Sequence, residues 1–100
     1  MVSACKSDIL NLITENIELF HSCDSVYLFG STLNDSVLRN DVDILLVYSC
    51  ALSEIVAETM RIRSVLEERL NLPVDLTVLN HNELEATSFL NMIVKYFKIK

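Results

Sequence analysis

The sequence predicts an α/β (α+β) fold, a small mixed β-sheet flanked by helices. Apolar residues recur at three- and four-residue spacing across 7–20 and 53–70, the period of helices that bury one face. Three short runs rich in strand formers, 26–29, 42–48 and 74–79, alternate with those segments between polar, turn-prone stretches. The resulting order is helix, strand, turn, strand, helix, strand, helix, which suits one sheet with helices laid against it.

Each element has its own signal. From about Ser7 to Phe20, Ile9, Leu10, Ile13, Ile17 and Phe20 line one helical face, with Ser7 as N-cap candidate and Asp8 at the positive helix end. Val26-Tyr27-Leu28-Phe29 is a strand that stops at Gly30-Ser31. Val42-Asp43-Ile44-Leu45-Leu46-Val47-Tyr48 is almost uninterrupted in apolar character, so it is expected at the centre of the sheet, covered on both faces. From about Ser53 to Leu70 the longest helix carries Ile55, Val56, Met60, Ile62, Val65, Leu66 and Leu70 on apolar faces; Ser53 can cap its start, and Asn71 with Pro73 explains its stop. Val74 to Leu79 is the third strand. Asn82-x-x-Glu85 resembles a capping box for a last helix to about Val94. The end, Lys95 to Lys100, alternates polar and apolar and fits either more helix or a short edge strand. Tyr27, Phe29, Phe89 and Phe97 read as core aromatics, and His21, His81, Arg61 and Arg63 as surface residues.

Composition narrows the function. With 100 residues, a single domain spanning 1–100 is expected. Apolar residues are 51% of the chain and charged residues 22%, a globular balance. Its apolar runs fall far short of the roughly 20 residues of a spanning helix, so no membrane association is expected. Met1 to Asp8 lacks a basic segment followed by an apolar run, which points to a cytoplasmic protein. Eight basic residues among fourteen acidic ones give a net charge of −6, a poor match to the phosphates of DNA or RNA. Cys5, Cys23 and Cys50 are an odd number at wide spacings with no CxxC pair, so reduced thiols are expected rather than a zinc site.

Three features carry chemistry. The only glycine, Gly30, follows a strand directly and precedes Ser31. Glycine permits a sharp turn and close approach of a ligand, and a helix starting at Ser31 would point free N–H groups at a phosphate; the alternative is an ordinary tight turn. Asp41 and Asp43 flank Val42, so they face the same way with α-carbons roughly 6.5 Å apart, near enough to share a cation. Unshared, the pair repels itself; the alternative is a solvated strand end. Asp75 is the only charge in the run Leu72 to Leu79. Should its strand pair beside the second one, Asp75 stands next to Asp43; otherwise it is an edge-strand gatekeeper. Together the three carboxylates offer the oxygen ligands magnesium prefers. One or two such ions can serve phosphoryl displacement. Asp41 and Asp43 would hold both ions, Asp75 the ion nearer the nucleophile, and Gly30 and Ser31 the terminal phosphates.

Tyr27-Leu28-Phe29-Gly30-Ser31, Asp41-Val42-Asp43-Ile44-Leu45-Leu46-Val47 and Val74-Asp75-Leu76 together resemble the minimal nucleotidyltransferase family of the DNA polymerase beta superfamily. Its pattern is a strand, Gly-Ser, a short spacer, Asp-x-Asp and a third Asp on a later strand. The resemblance implies magnesium-dependent transfer of AMP from ATP, with Asp41, Asp43 and Asp75 as catalytic metal ligands. It also implies an antitoxin role beside a HEPN-type toxin, adenylylated on a protein hydroxyl, in a homo- or hetero-oligomer. Asn34 and Asp35 stand where many relatives carry a glycine and an arginine, and Asn40 where many carry a serine. The second function is therefore a binding module that neutralises its partner by complex formation with little or no turnover.

Overall fold

The structure is a computed structural model that describes residues 6–30, 41–93 and 95–100. The elements are α1 (Lys6–Glu15), a 3-10 turn (Ile17–Phe20), β1 (Cys23–Phe29), β2 (Val42–Tyr48), α2 (Leu52–Leu70), β3 (Val74–Asn80), α3 (His81–Thr87), α4 (Phe89–Ile93) and β4 (Tyr96–Lys98). The four strands form one mixed sheet in the order β3-β2-β1-β4. β1 runs antiparallel to both β2 and β4, and β2 runs parallel to β3 across α2.

β2 holds the interior position its composition predicts. Its even-numbered residues Val42, Ile44 and Leu46 join Val26, Leu28, Ile9, Ile13, Ile55, Ile62 and Leu66 in the core under α1 and α2. Its odd-numbered Leu45 and Val47 face the other way, with Tyr27, under Leu84, Phe89 and Leu90 of α3 and α4. Burial on both faces removes the polar alternation of a half-solvated strand.

Several local expectations change. Ser7 lies inside α1 rather than capping it, and the helix predicted through Phe20 breaks at Asn16. The Asn16 side chain donates to Leu12 O at 2.7 Å, the kind of local bond that competes with helix continuation. α2 begins at Leu52, one residue before the predicted cap Ser53, and its N-cap Ala51 supplies no side-chain bond. Asn71 does end α2, in the left-handed region at φ 55°.

The capping box is Asn80 with Glu83, not Asn82 with Glu85. Asn80 Oδ1 accepts from Glu83 N–H at 2.8 Å, and Glu83 Oε1 accepts from Asn80 N–H at 2.9 Å. β3 stays in register with β2 to its last residue, so the helix starts at once and takes the earlier of two Asn-x-x-Glu repeats. The predicted last helix is split by Ser88, at φ 52°. Of the two options for the chain's end, the edge strand holds, as β4. Phe97, predicted in the core, is 50% exposed on it, while Phe29 and Phe89 meet edge to face at 5.5 Å.

Beyond the hydrophobic residues, Glu58 on α2 is buried. Its two carboxylate oxygens accept from Ser22 N–H at 3.2 and 2.9 Å, which ties α2 to the turn entering β1. Cys23 and Cys50 are free thiols; burial, then Glu58, pushes the Cys23 thiol up to about 12, so it stays protonated. Cys5 lies outside the described residues. Among the described residues no helix is long and apolar enough to cross a membrane.

Candidate active site

The sheet register brings the acidic residues together. Asp43 is the second residue of β2 and Asp75 the second of β3, and the two are direct partners across the parallel pair. Parallel strands in register place such partners on the same face. Asp41, two residues before Asp43, shares that face. One carboxylate oxygen from each of Asp41, Asp43 and Asp75 lies within 4.8 Å of the others, and among the described residues this is the only such group of three or more potential ligands.

Asp41 and Asp43 are half-buried, whereas Asp75 is exposed on the edge strand β3. The two sequence-based options for Asp75 thus combine: β3 is an edge strand with a free side, and on its other side Asp75 is the partner of Asp43. Gly30 closes the site from β1. Phe29 is the cross-strand partner of Asp43, so the residue after it abuts the Asp43 side chain. Gly30 has φ +74°, a left-handed conformation natural to glycine. A Cβ built there would overlap Asp43 Oδ2 and approach Asp43 Cγ to 3.1 Å. The turn thus needs glycine for two reasons, and only the conformational one is visible in the sequence. Ser31 lies outside the described residues.

Electrostatics mark Asp43 as the stressed member. Burial first, then the negative charges of Asp41 and Asp75, push its carboxyl up from 3.8 to about 6. Since the folded value is raised for an acid, the folded chain binds the extra proton between those two values. Stability of the metal-free domain should therefore fall as pH rises from 3.8 to about 6, then level off. Because the group is only half-buried, solvent screening cuts the effect to about 1–2 kcal/mol. Thermal melts across that range, with and without magnesium, measure this. Added magnesium should raise the melting temperature above pH 6 and have little effect near pH 4.

The fit to a hard divalent cation rests on these donors. All three are carboxylates, and opposite ligands of octahedral magnesium stand about 4.2 Å apart, twice its bond length. A spread of up to 4.8 Å needs only a small closure around one ion, or accommodates two.

The remaining candidates lie elsewhere. His81 is exposed at the opposite end of β3, 2.7 Å from Asp24 Oδ2, and its hydrogen bond holds the Asp24 carboxyl below the usual range. Arg61 and Arg63 are exposed on α2.

A family model described as nucleotidyltransferase domain matches residues 9–100. Among curated proteins none matches. Solved structures share the fold. A chain from the complex of a tri-AMPylated Shewanella oneidensis HEPN toxin with MNT antitoxin superposes with TM-score 0.62 at 18% identity, over 95% of this chain and 71% of that one. A chain from a toxin–antitoxin complex with AMP-PNP gives 0.58 at 22% identity, over 95% of this chain and 72% of that one. A Sulfolobus solfataricus protein described as a nucleotidyltransferase gives 0.53 at 23% identity, over 93% and 80%.

Proposed function

The chain belongs to the nucleotidyltransferase domain family, and from that premise we propose that it is a magnesium-dependent protein adenylyltransferase. In this reading it moves AMP from ATP to a hydroxyl of a HEPN-type toxin and acts as the antitoxin of the pair, in the cytoplasm. The observation that carries the chemistry is the meeting of Asp41, Asp43 and Asp75 within 4.8 Å, against the Gly30 turn. The toxin and the adenylate come from the solved relatives, whose complexes hold a HEPN toxin and AMP-PNP.

The residues divide the work by position. Asp41 and Asp43, half-buried on one face of β2, would hold magnesium, and Asp75 would complete the ligand set. Bound there, magnesium would offset the charge on the phosphate oxygens. Asp75, exposed at the edge, also faces the incoming hydroxyl and draws off its proton as that oxygen attacks the α-phosphorus; pyrophosphate departs. The Gly30 turn, with Ser31 after it, holds the terminal phosphates. An acceptor carried on a second protein suits a site whose outer ligand stands in solvent.

The binding-module alternative rests on Asn34, Asp35 and Asn40, where the sequence departs from the family's pattern. One experiment separates the two. The chain is incubated with magnesium, ATP and the toxin encoded beside it, and the toxin is weighed intact. A gain of one or more adenylates, absent with Asp41→Ala and with Asp43→Ala, is expected. Neutralisation by those variants at unchanged toxin mass would establish the binding module instead.

A further inference from the structure

The longest helix presents an apolar stripe that no other described residue covers. Leu52, Val56 and Met60 are 66%, 50% and 69% exposed, although the sequence places Val56 and Met60 with the apolar faces. At four-residue spacing they form one line along α2, about a third of a turn from the buried line Ile55, Glu58, Ile62 and Leu66. The stripe borders an open groove of about 400 Å³ that Val78 of β3, Arg63 and Glu83 also line. Three large exposed apolar side chains in a row are more than scattered surface hydrophobes.

The charges of this groove are arranged end to end. Glu83 sits at the Leu52 end: α3 follows Asn80, the cross-strand partner of Tyr48, and Leu52 lines a cavity with Asn80, His81 and Asn82. Arg63 stands about 16 Å farther along α2, at eleven residues of helical rise. A partner therefore needs an apolar helical stripe with a positive group facing Glu83 and a negative group facing Arg63. α2 of a second copy, turned antiparallel, supplies that pattern. In such a two-fold arrangement Arg63 of each copy meets Glu83 of the other, and Val56 and Met60 pack across the axis. A two-fold contact of this kind must be self-complementary, and this groove is.

We propose that the Leu52-Val56-Met60 face of α2 is a homodimer interface. It uses none of the acidic triad and stands or falls independently of the transfer chemistry. Each chain carries −6, so repulsion opposes pairing; about 0.15 M salt confines it to about 8 Å.

Sedimentation equilibrium at that salt and about 0.1 mM chain should give twice the 11.4 kDa mass. Met60→Glu should raise the dissociation constant at least about thirtyfold, as for a central contact. Circular dichroism checks that the variant folds; should it not, Val56→Lys and Leu52→Lys carry the same expectation. Arg63→Gln and Glu83→Gln should each weaken the dimer, and the double variant should be little weaker than the worse single one. Gln retains the acceptor that Asn80 N–H needs. A single-chain mass at about 0.1 mM, a dimer indifferent to every stripe substitution, or additive Arg63 and Glu83 effects would each overturn the proposal. So would a monomer whose Met60→Glu variant loses only its hold on the toxin, since the face would then belong to a different partner.

Discussion

Asp43→Asn is expected to lower adenylyl transfer by about 10³-fold or more, as loss of about 4 kcal/mol of metal-mediated stabilisation implies, while making the metal-free domain more stable at pH 7. The two effects share one cause. Asp43 is pressed between Asp41 and Asp75, and burial adds to the strain; its carboxyl is raised to about 6 and is ionised at neutral pH at a cost to the fold. An amide of the same shape removes that cost. A gain of about 1 kcal/mol would lift the melting temperature by roughly 4–8 °C for a domain of this size. The same variant should show no magnesium-dependent stabilisation. Calorimetry with and without magnesium, beside intact-mass measurement of the acceptor, tests both halves. A variant that is less stable than wild type and still transfers AMP would show that Asp43 is neither strained nor a ligand.

Gly30→Ala should damage fold and site together. A left-handed backbone costs a non-glycine residue about 1–2 kcal/mol. The added methyl group also overlaps Asp43 Oδ2, so the carboxylate must swing out of the cluster. A destabilisation of about 1–3 kcal/mol is expected, with magnesium binding weakened and transfer largely lost. The contact can be separated from the backbone cost by repeating the substitution in Asp43→Ala. There the overlapping oxygen is gone, so Gly30→Ala should cost less than in the wild-type chain, a non-additivity typical of residues in contact. Equal costs in both backgrounds would mean that Gly30 matters only for its backbone angle.

These variants mark the border between what the chain announces and what it conceals. The order of elements and the interior place of β2 are written in local patterns. A run such as Ile44-Leu45-Leu46-Val47 can be satisfied only where both faces are dry. Gly30, Asp43 and Asp75 stand out because each breaks or ends an apolar run, and Asp41 because it repeats Asp43 two residues earlier. The stop of α2 at Asn71 is equally local.

Other features depend on competition between near-equal options. The chain contains two Asn-x-x-Glu repeats, and the reach of β3 decides that Asn80 and Glu83 make the capping box. Asn16 could have stayed in a helix, but its side chain and its N–H both donate to Leu12 O and the chain turns into a 3-10 helix after it. Lys95 to Lys100 fits helix or strand until β1 offers an edge. Val56 and Met60 look like core residues, yet α2 turns them to solvent.

By itself the sequence determined the kinds of elements, their order and which acidic residues stand out from their strands, because period, punctuation and charge are properties of neighbouring residues. Tertiary structure alone decided that Asp43 and Asp75 are partners and that the Gly30 turn closes against them. Register between strands more than thirty residues apart is set by long-range hydrogen bonding and two-sided packing. A slip of one residue would send Asp75 to the opposite face of the sheet.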